Sequence, residues 1–203
     1  MARHSLSFGS IIVALLVAHS GPLDGAGSSI SGTVKVTGSA SNADAVVYVQ
    51  QAPDTFAPLA TPAEVDQLGK QFIPHVLPIV VGTTVRFLNS DPTRHNVFSP
   101  DHEKYNLGTW PHGKTRDHTF GTCAKAPCVY VQLCLIHPEM EAYVVVLQNP
   151  FFAVTNTAGR FEITNVPRGT YSLAVWHAKG KAQPKPVTVD TGKPAVVDFV
   201  LGR

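Results

Sequence analysis

The sequence predicts an all-β protein built from antiparallel sandwiches. Three observations carry that prediction. Short runs rich in β-branched and aromatic residues recur at roughly ten-residue spacing. Turn formers separate them, with 16 glycines and 16 prolines in 203 residues. Helical periodicity is nearly missing beyond the N-terminal segment. The apolar fraction of 44% and charged fraction of 15% suit a chain with a buried core and argue against disorder.

Residues 30–36 (Ile-Ser-Gly-Thr-Val-Lys-Val) alternate with period two, and residues 45–50 (Ala-Val-Val-Tyr-Val-Gln) form a β-branched run. Residues 61–70 are the one helix-like stretch, with Pro62 early, Glu64 in the first turn and Gly69 near the end; they are short enough to form a loop instead. Strands are then expected at 76–81 and 84–88, split by Gly82, and at 115–120 after a turn at His112-Gly113. Residues 129–133 and 143–147 come next, followed by 160–163, 171–176, 186–189 and 195–201.

The first residues read as an export signal. Arg3 and His4 make a basic start, and residues 8–18 form a mostly apolar segment that is too short to span a bilayer. Small residues at Ala18 and Ser20 place cleavage before Gly21, with a cut near Ala26 as a second option; an uncleaved anchor is the competing reading. A signal peptide over residues 1–20 implies a periplasmic or secreted protein with no membrane span after cleavage. Cleavage removes Arg3 as the only charged side chain, so the mature formal charge falls one unit below the chain's +2. Such a balance gives no electrostatic reason to expect nucleic acid as a partner.

Export permits disulfides, and the chain has three cysteines: Cys123, Cys128 and Cys134. An odd count needs an explanation. If Cys134 holds a metal, Cys123 and Cys128 can pair across five residues. Two free thiols or two extra metal ligands are the other arrangements; an oxidising compartment favours the bridge.

The chemistry concentrates in Cys134-Leu135-Ile136-His137-Pro138-Glu139-Met140, with His95 upstream in Arg94-His95-Asn96. Met140 is the only methionine besides the initiator. One thiolate, two imidazoles and one thioether make the ligand set of a blue-copper electron-transfer site. Cuprous copper favours soft sulfur and accepts imidazole, while cupric copper favours nitrogen, so this set suits both states and keeps reorganisation small. Cys134 ends an expected strand, His137 and Met140 lie on the turn after it, and His95 comes from a separate loop. A Met ligand argues against zinc. Cys128 is six residues from Cys134 on a strand, which excludes it from a binuclear centre.

With these residues in place, residues 72–147 resemble the cupredoxins, the family of plastocyanin, pseudoazurin and amicyanin. The resemblance rests on Phe72-Ile73-Pro74, on Gly82-Thr83-Thr84-Val85-Arg86-Phe87-Leu88-Asn89, on His95-Asn96-Val97, and on a Cys-x2-His-x2-Met loop similar to the short loop of amicyanin. It implies a Greek-key β-sandwich and one type 1 copper held by His95, Cys134, His137 and Met140. It also implies that Asn96 ties the two ligand loops together and that His137 is the electron exit in an apolar patch. The chain departs from the family at Leu135, where a small hydroxyl residue is usual, and at Glu139, where an apolar one is commoner. It is similar also to exported plastocyanin-like proteins of the methylamine-utilisation type.

Composition shifts near Asn149-Pro150, beyond which there is no Cys and no Met. The segments Thr157-Ala158-Gly159-Arg160-Phe161-Glu162-Ile163 and Val166-Pro167-Arg168-Gly169-Thr170-Tyr171-Ser172-Leu173 resemble a carboxypeptidase regulatory-like β-sandwich. The first two strands of such a module are similar to residues 30–36 and 45–49, far upstream. The expectation is therefore a regulatory-like sandwich of residues 28–54 plus 148–203, interrupted by a copper domain of residues 55–147. The competing arrangement gives the first strands to the copper domain and leaves the rest as an appended half-sandwich.

The remaining histidines of the mature chain, His75, His102, His112, His118 and His177, read as solvated or satisfied side chains. His118 is expected to face solvent from an alternating strand, and Trp110 to lie near the copper face. The resulting expectation is an exported carrier that moves single electrons between a donor and an acceptor protein, of the cytochrome c or dehydrogenase kind, and that is not an enzyme. A copper-delivery protein, a non-redox binding module and a copper oxidase or nitrite reductase compete with it. One mature Met counts against delivery, and one ligand set counts against the oxidases.

Overall fold

The computed structural model describes residues 28–202. The expected signal segment, residues 1–20, lies outside them. Regular structure among the described residues is all strand. No helix there is long and apolar enough to cross a membrane.

In chain order the strands are β1 (Ser28–Val36), β2 (Val46–Val49), β3 (Ala63–Leu68), β4 (Gln71–Ile73), β5 (Val76–Val80), β6 (Thr84–Leu88), β7 (His95–Ser99), β8 (Tyr105–Trp110), β9 (Thr115–Thr119), β10 (Cys128–Leu133) and β11 (Glu141–Leu147). They continue as β12 (Phe152–Val154), β13 (Arg160–Val166), β14 (Gly169–His177), β15 (Gly180–Lys181), β16 (Lys185–Val189), β17 (Ala195–Val196) and β18 (Phe199–Leu201). Four sheets result. One runs β13-β1-β17, with β18 also on β1, and another runs β12-β2-β14-β15, with β16 also on β14. The other two run β5-β11-β10-β7-β8 and β4-β3-β6-β9.

The first two sheets enclose one apolar core, with Ile30, Val34, Val47, Leu173 and Phe199 in it. The other two enclose a second core, with Phe87, Val97, Trp110, Phe120, Tyr130 and Val144. A third cluster joins them: Val46, Tyr48 and Ala174 meet Val76, Val145 and Leu147. The sequence explains this contact. Strand β2 (Val-Val-Tyr-Val) is buried along its length, and residues 144–147 of β11 are buried on both faces. A strand covered on both sides must be apolar at every position, which is why these two runs do not alternate. Burial pushes the Tyr48 phenol up to about 12.

The helix-like reading of residues 61–70 is corrected. These residues form β3, which pairs in parallel with β6 and antiparallel with β4. The helix-start signals at Pro62 and Glu64 are weak compared with burying Val65 and Gln67 on one face of a sheet, and the burial along β3 alternates accordingly. Gly69 and Lys70, with φ of 63° and 56°, make the two-residue turn to β4. The expected strand over 195–201 is broken at Val197-Asp198, where the Asp198 carboxylate accepts the Thr33 N–H and hydroxyl instead.

The order of the strands brings four connections to one pole. β3 and β6 run in parallel, and β8 and β10 both run antiparallel to β7. The turn at 69–70 and the segments 89–94, 111–114 and 134–140 therefore gather at the same end. The backbone locks two of them together, since Gly113 N donates to Asn89 O at 2.8 Å.

Candidate metal centre

The inner face of β10 alternates, with Cys128, Tyr130 and Gln132 buried. Cys134 continues this parity one residue past the strand, so its thiol points into the core at the pole. His95 is the first residue of β7, not part of a loop, and pairs with Trp110 across β8. The 134–140 segment then turns back: Met140 N donates to His137 O at 3.0 Å. This brings His137 over the same point.

One donor atom from each of His95, Cys134 and His137 lies within 4.8 Å of the others, the only such group of His, Cys, Asp or Glu found among the described residues. His137 Nδ1 is 3.0 Å from His95 Nδ1 and 4.0 Å from the Cys134 sulfur. Met140 is 1% exposed and belongs to the core that contains Cys134. Leu135 and Ile136, 63% and 45% exposed, stand on the outside of the loop beside the half-buried His137.

Asn96 links the segment that opens with His95 to the one that carries Cys134 and His137. Its side-chain oxygen accepts the Leu135 N–H at 3.3 Å, and its backbone N–H lies 3.5 Å from the Cys134 sulfur. Its amide nitrogen donates to Asn106 Oδ1 and Gly108 O on β8 at 2.8 and 2.7 Å. One residue thus ties β7 and β8 to the segment that carries the thiol.

Sequence reasoning missed Asp91. Its carboxylate accepts from His95 Nε2 at 2.7 Å, with both side chains buried. It also accepts the backbone N–H groups of Gly69 and Lys70 at 2.7 and 2.8 Å. Burial opposes ionisation of Asp91, but the Lys70 and Gly69 amides and the His95 ring outweigh it and hold the carboxyl below the usual range. The available signal was an Asp-Pro pair four residues before a candidate ligand; the hairpin turn that completes the contact lies more than twenty residues upstream.

The donor set fits a copper ion. An ionised carboxylate is acceptor-only, so the His95 nitrogen facing it carries the hydrogen and Nδ1 keeps its lone pair for the cluster. Donors held about 2.0–2.3 Å from a common ion lie about 3–4 Å from one another, which matches the 3.0 and 4.0 Å separations of His137 Nδ1 from His95 Nδ1 and from the Cys134 sulfur. A buried thiol beside two imidazoles also suits a soft, borderline metal better than a hard one.

Cys123 and Cys128 are bridged, and Cys134 is the one free cysteine. The expectation that His118 faces solvent is corrected: its ring stacks on Tyr105 with centroids 3.8 Å apart, its side chain is 17% exposed, and its Nε2 is buried without a hydrogen-bond partner. Burial pushes this imidazole down, although Glu103 nearby opposes that shift. His75 pairs with Asp44 at 2.8 Å, His112 Nδ1 lies 3.1 Å from Asp91 O, and His177 Nδ1 accepts the Lys179 N–H at 3.0 Å.

Comparison with known proteins gives matches to both parts of the chain's expected make-up. A family model described as the carboxypeptidase regulatory-like domain matches residues 138–202. The match begins inside the 134–140 loop, whereas β11 pairs with β10 and β5, so the sheet boundary falls after β11. No curated protein matches the chain. Among solved structures, the chain is similar to a copper-containing nitrite reductase from Thermus scotoductus SA-01, at 31% identity over 46% of this chain and 26% of that one, with a TM-score of 0.40. It is similar to a purple cupredoxin from Nitrosopumilus maritimus, at 27% identity over 41% of this chain and 98% of that one, with a TM-score of 0.37. It is also similar to a reduced amicyanin variant, at 22% identity over 49% of this chain and 97% of that one, with a TM-score of 0.38. The matched part spans about a quarter of the nitrite reductase's own length.

Proposed function

We propose that the chain is an exported single-electron carrier with one type 1 copper, held by His95, Cys134, His137 and Met140. The observation that carries this reading is the convergence of His95 Nδ1, His137 Nδ1 and the one free thiol within 4.8 Å. When bound, copper supplies one-electron chemistry by alternating between its cupric and cuprous states. The chain's own residues do the rest. Asp91 and the strand position of His95 orient one imidazole, and the buried Met140 would offer the ion a thioether. The core around Cys134 keeps water from the thiolate, and Leu135 and Ile136 give a redox partner an apolar surface on which to dock beside His137.

In this reading the copper-bearing domain covers residues 55–147 and is inserted into a regulatory-like sandwich of residues 28–54 and 148–203. The strand pairings of β1 and β2 with β12–β18 support it. Export through residues 1–20 supplies the oxidising compartment that the Cys123–Cys128 bridge requires. Donor and acceptor are redox proteins docking transiently and one at a time.

The test is to add copper(II) to the purified chain and record the visible spectrum. One equivalent should develop an intense thiolate-to-copper absorption, lost in Cys134→Ser and kept in Cys123→Ser. A colourless product would end the carrier reading, and bleaching by Cys123→Ser would mean that the thiols are shared out differently.

A further inference from the structure

We infer that Asp91 is a positioning residue of this centre: it fixes the His95 ring, lowers the reduction potential with a buried negative charge, and makes the β3–β4 hairpin part of the site. The inference rests on the copper reading above.

The geometry is closed on every side. Asp91 Oδ2 accepts from His95 Nε2 at 2.7 Å and from Lys70 N at 2.8 Å, and Oδ1 accepts from Gly69 N at 2.7 Å. The residue is held in turn by its own N–H, which donates to Asn89 Oδ1 at 3.0 Å and to Gln67 O at 3.1 Å. The side chains of His95 and Asp91 are 0% and 7% exposed. Positive φ at both Gly69 and Lys70 aims two successive N–H groups at the carboxylate, an anion-binding concavity made of backbone.

Three consequences follow from elementary chemistry. The acceptor-only carboxylate leaves His95 one tautomer, with hydrogen on Nε2 and the lone pair on Nδ1. A carboxylate bonded to the second nitrogen of a ligand ring raises the basicity of the first. A fixed negative charge at this depth, where screening is weak, favours the more positive oxidation state of a neighbouring metal and so lowers its potential. The carboxylate also bridges the hairpin turn to the ligand, so displacing the turn displaces the ring.

A neutral amide cannot reproduce these contacts. Asparagine would present an NH2 group to at least one N–H that now donates to Asp91. Asp91→Asn in the copper-loaded full chain should therefore keep the intense absorption but favour the reduced state about tenfold or more, which is about 59 mV or more upward for a one-electron couple. Asp66→Asn is the charge control. Asp66 is a partly exposed carboxylate on β3 that binds Gln67 N and Ser90 N and does not touch His95. It should shift the potential by less than half as much. A blue Asp91→Asn protein with the wild-type potential, or an equal shift from Asp66→Asn, overturns the inference.

Should Asp91→Asn fail to fold or to take up copper, the wild-type apoprotein decides. Its 15N-resolved imidazole spectrum should show His95 with a slowly exchanging proton on Nε2 and none on Nδ1. The opposite tautomer, or rapid exchange of that proton, overturns the role. This readout needs no copper, so it separates failure of the Asp91 role from failure of the copper reading, which a colourless wild type would signal.

Discussion

The two imidazoles of the candidate centre are built in opposite ways. His95 opens a strand, is wholly buried, and has its outer nitrogen bonded to a carboxylate that also clamps a hairpin turn. His137 sits on a seven-residue loop, is half buried, and is flanked by Leu135 and Ile136, both exposed. The contrast separates two tasks. The strand side sets geometry, because moving His95 would disturb two sheets and the β3–β4 turn. The loop side meets the outside, because only there does a donor ring approach the surface with apolar neighbours.

The sharpest way to break this comparison is to delete each ring in turn. His95→Gly empties a buried volume and strips a buried carboxylate of its ring partner, so apoprotein stability in urea should fall by about 3–5 kcal/mol. His137→Gly should cost under about 1 kcal/mol, because its ring lies at the rim. Added imidazole should restore copper colour to His137→Gly and not to His95→Gly. Equal losses of stability, or rescue of both, would erase the distinction between the two sides.

A smaller effect tests the tie between the halves. Asn96→Ala removes the acceptor for Leu135 N and the donor for Asn106 Oδ1 and Gly108 O. Leaving these groups unpaired should cost about 1–3 kcal/mol by denaturant unfolding. It should also broaden the copper signals in electron paramagnetic resonance as the Cys134 segment loses its anchor. An unchanged midpoint would mean that the loop is held by its own backbone alone.

The smallest effect concerns His118, a third arrangement, in which a ring packs against Tyr105 without a partner for Nε2. Burial lowers its folded-state pKa below the unfolded value of about 6.5. The unfolded chain then binds more protons as pH falls through that window, so folding stability declines with acidification from about pH 6.5 down to the folded-state value. His118→Gln should flatten that part of the stability curve. An equally steep curve would assign the decline to His177, which burial also shifts down.

Much of the fold can be read from local pattern. The alternation in residues 84–88 and 129–133 finds β6 and β10, and the fully apolar residues 144–147 even signal a strand covered on both faces. Residues 61–70 mislead because Pro62 and Glu64 are helix-start residues, and the strand's inward Gln67 breaks the apolar alternation that would have revealed it. Gln67 is held there by its side-chain NH2, which donates to Leu88 O, and by its backbone carbonyl, which accepts from Ser90 N and Asp91 N; its side-chain oxygen is buried without a partner. In the site, the Cys-x2-His-x2-Met spacing points directly to the residues that converge. Asp91 stays hidden because its importance comes from Gly69 and Lys70, which only pairing of β3 with β4 and β6 brings alongside. His118 is misplaced for a similar reason: strand alternation gives the face of a residue but not the Tyr105 ring that covers it.

The central claim is a one-electron centre on His95, Cys134 and His137, and a reductive titration of the copper-loaded chain tests it most directly. The thiolate absorption should bleach with one electron per protein, return fully on reoxidation, and follow a one-electron Nernst curve. Absorption that needs more than one electron to bleach, fails to return, or persists in Cys134→Ser would contradict it.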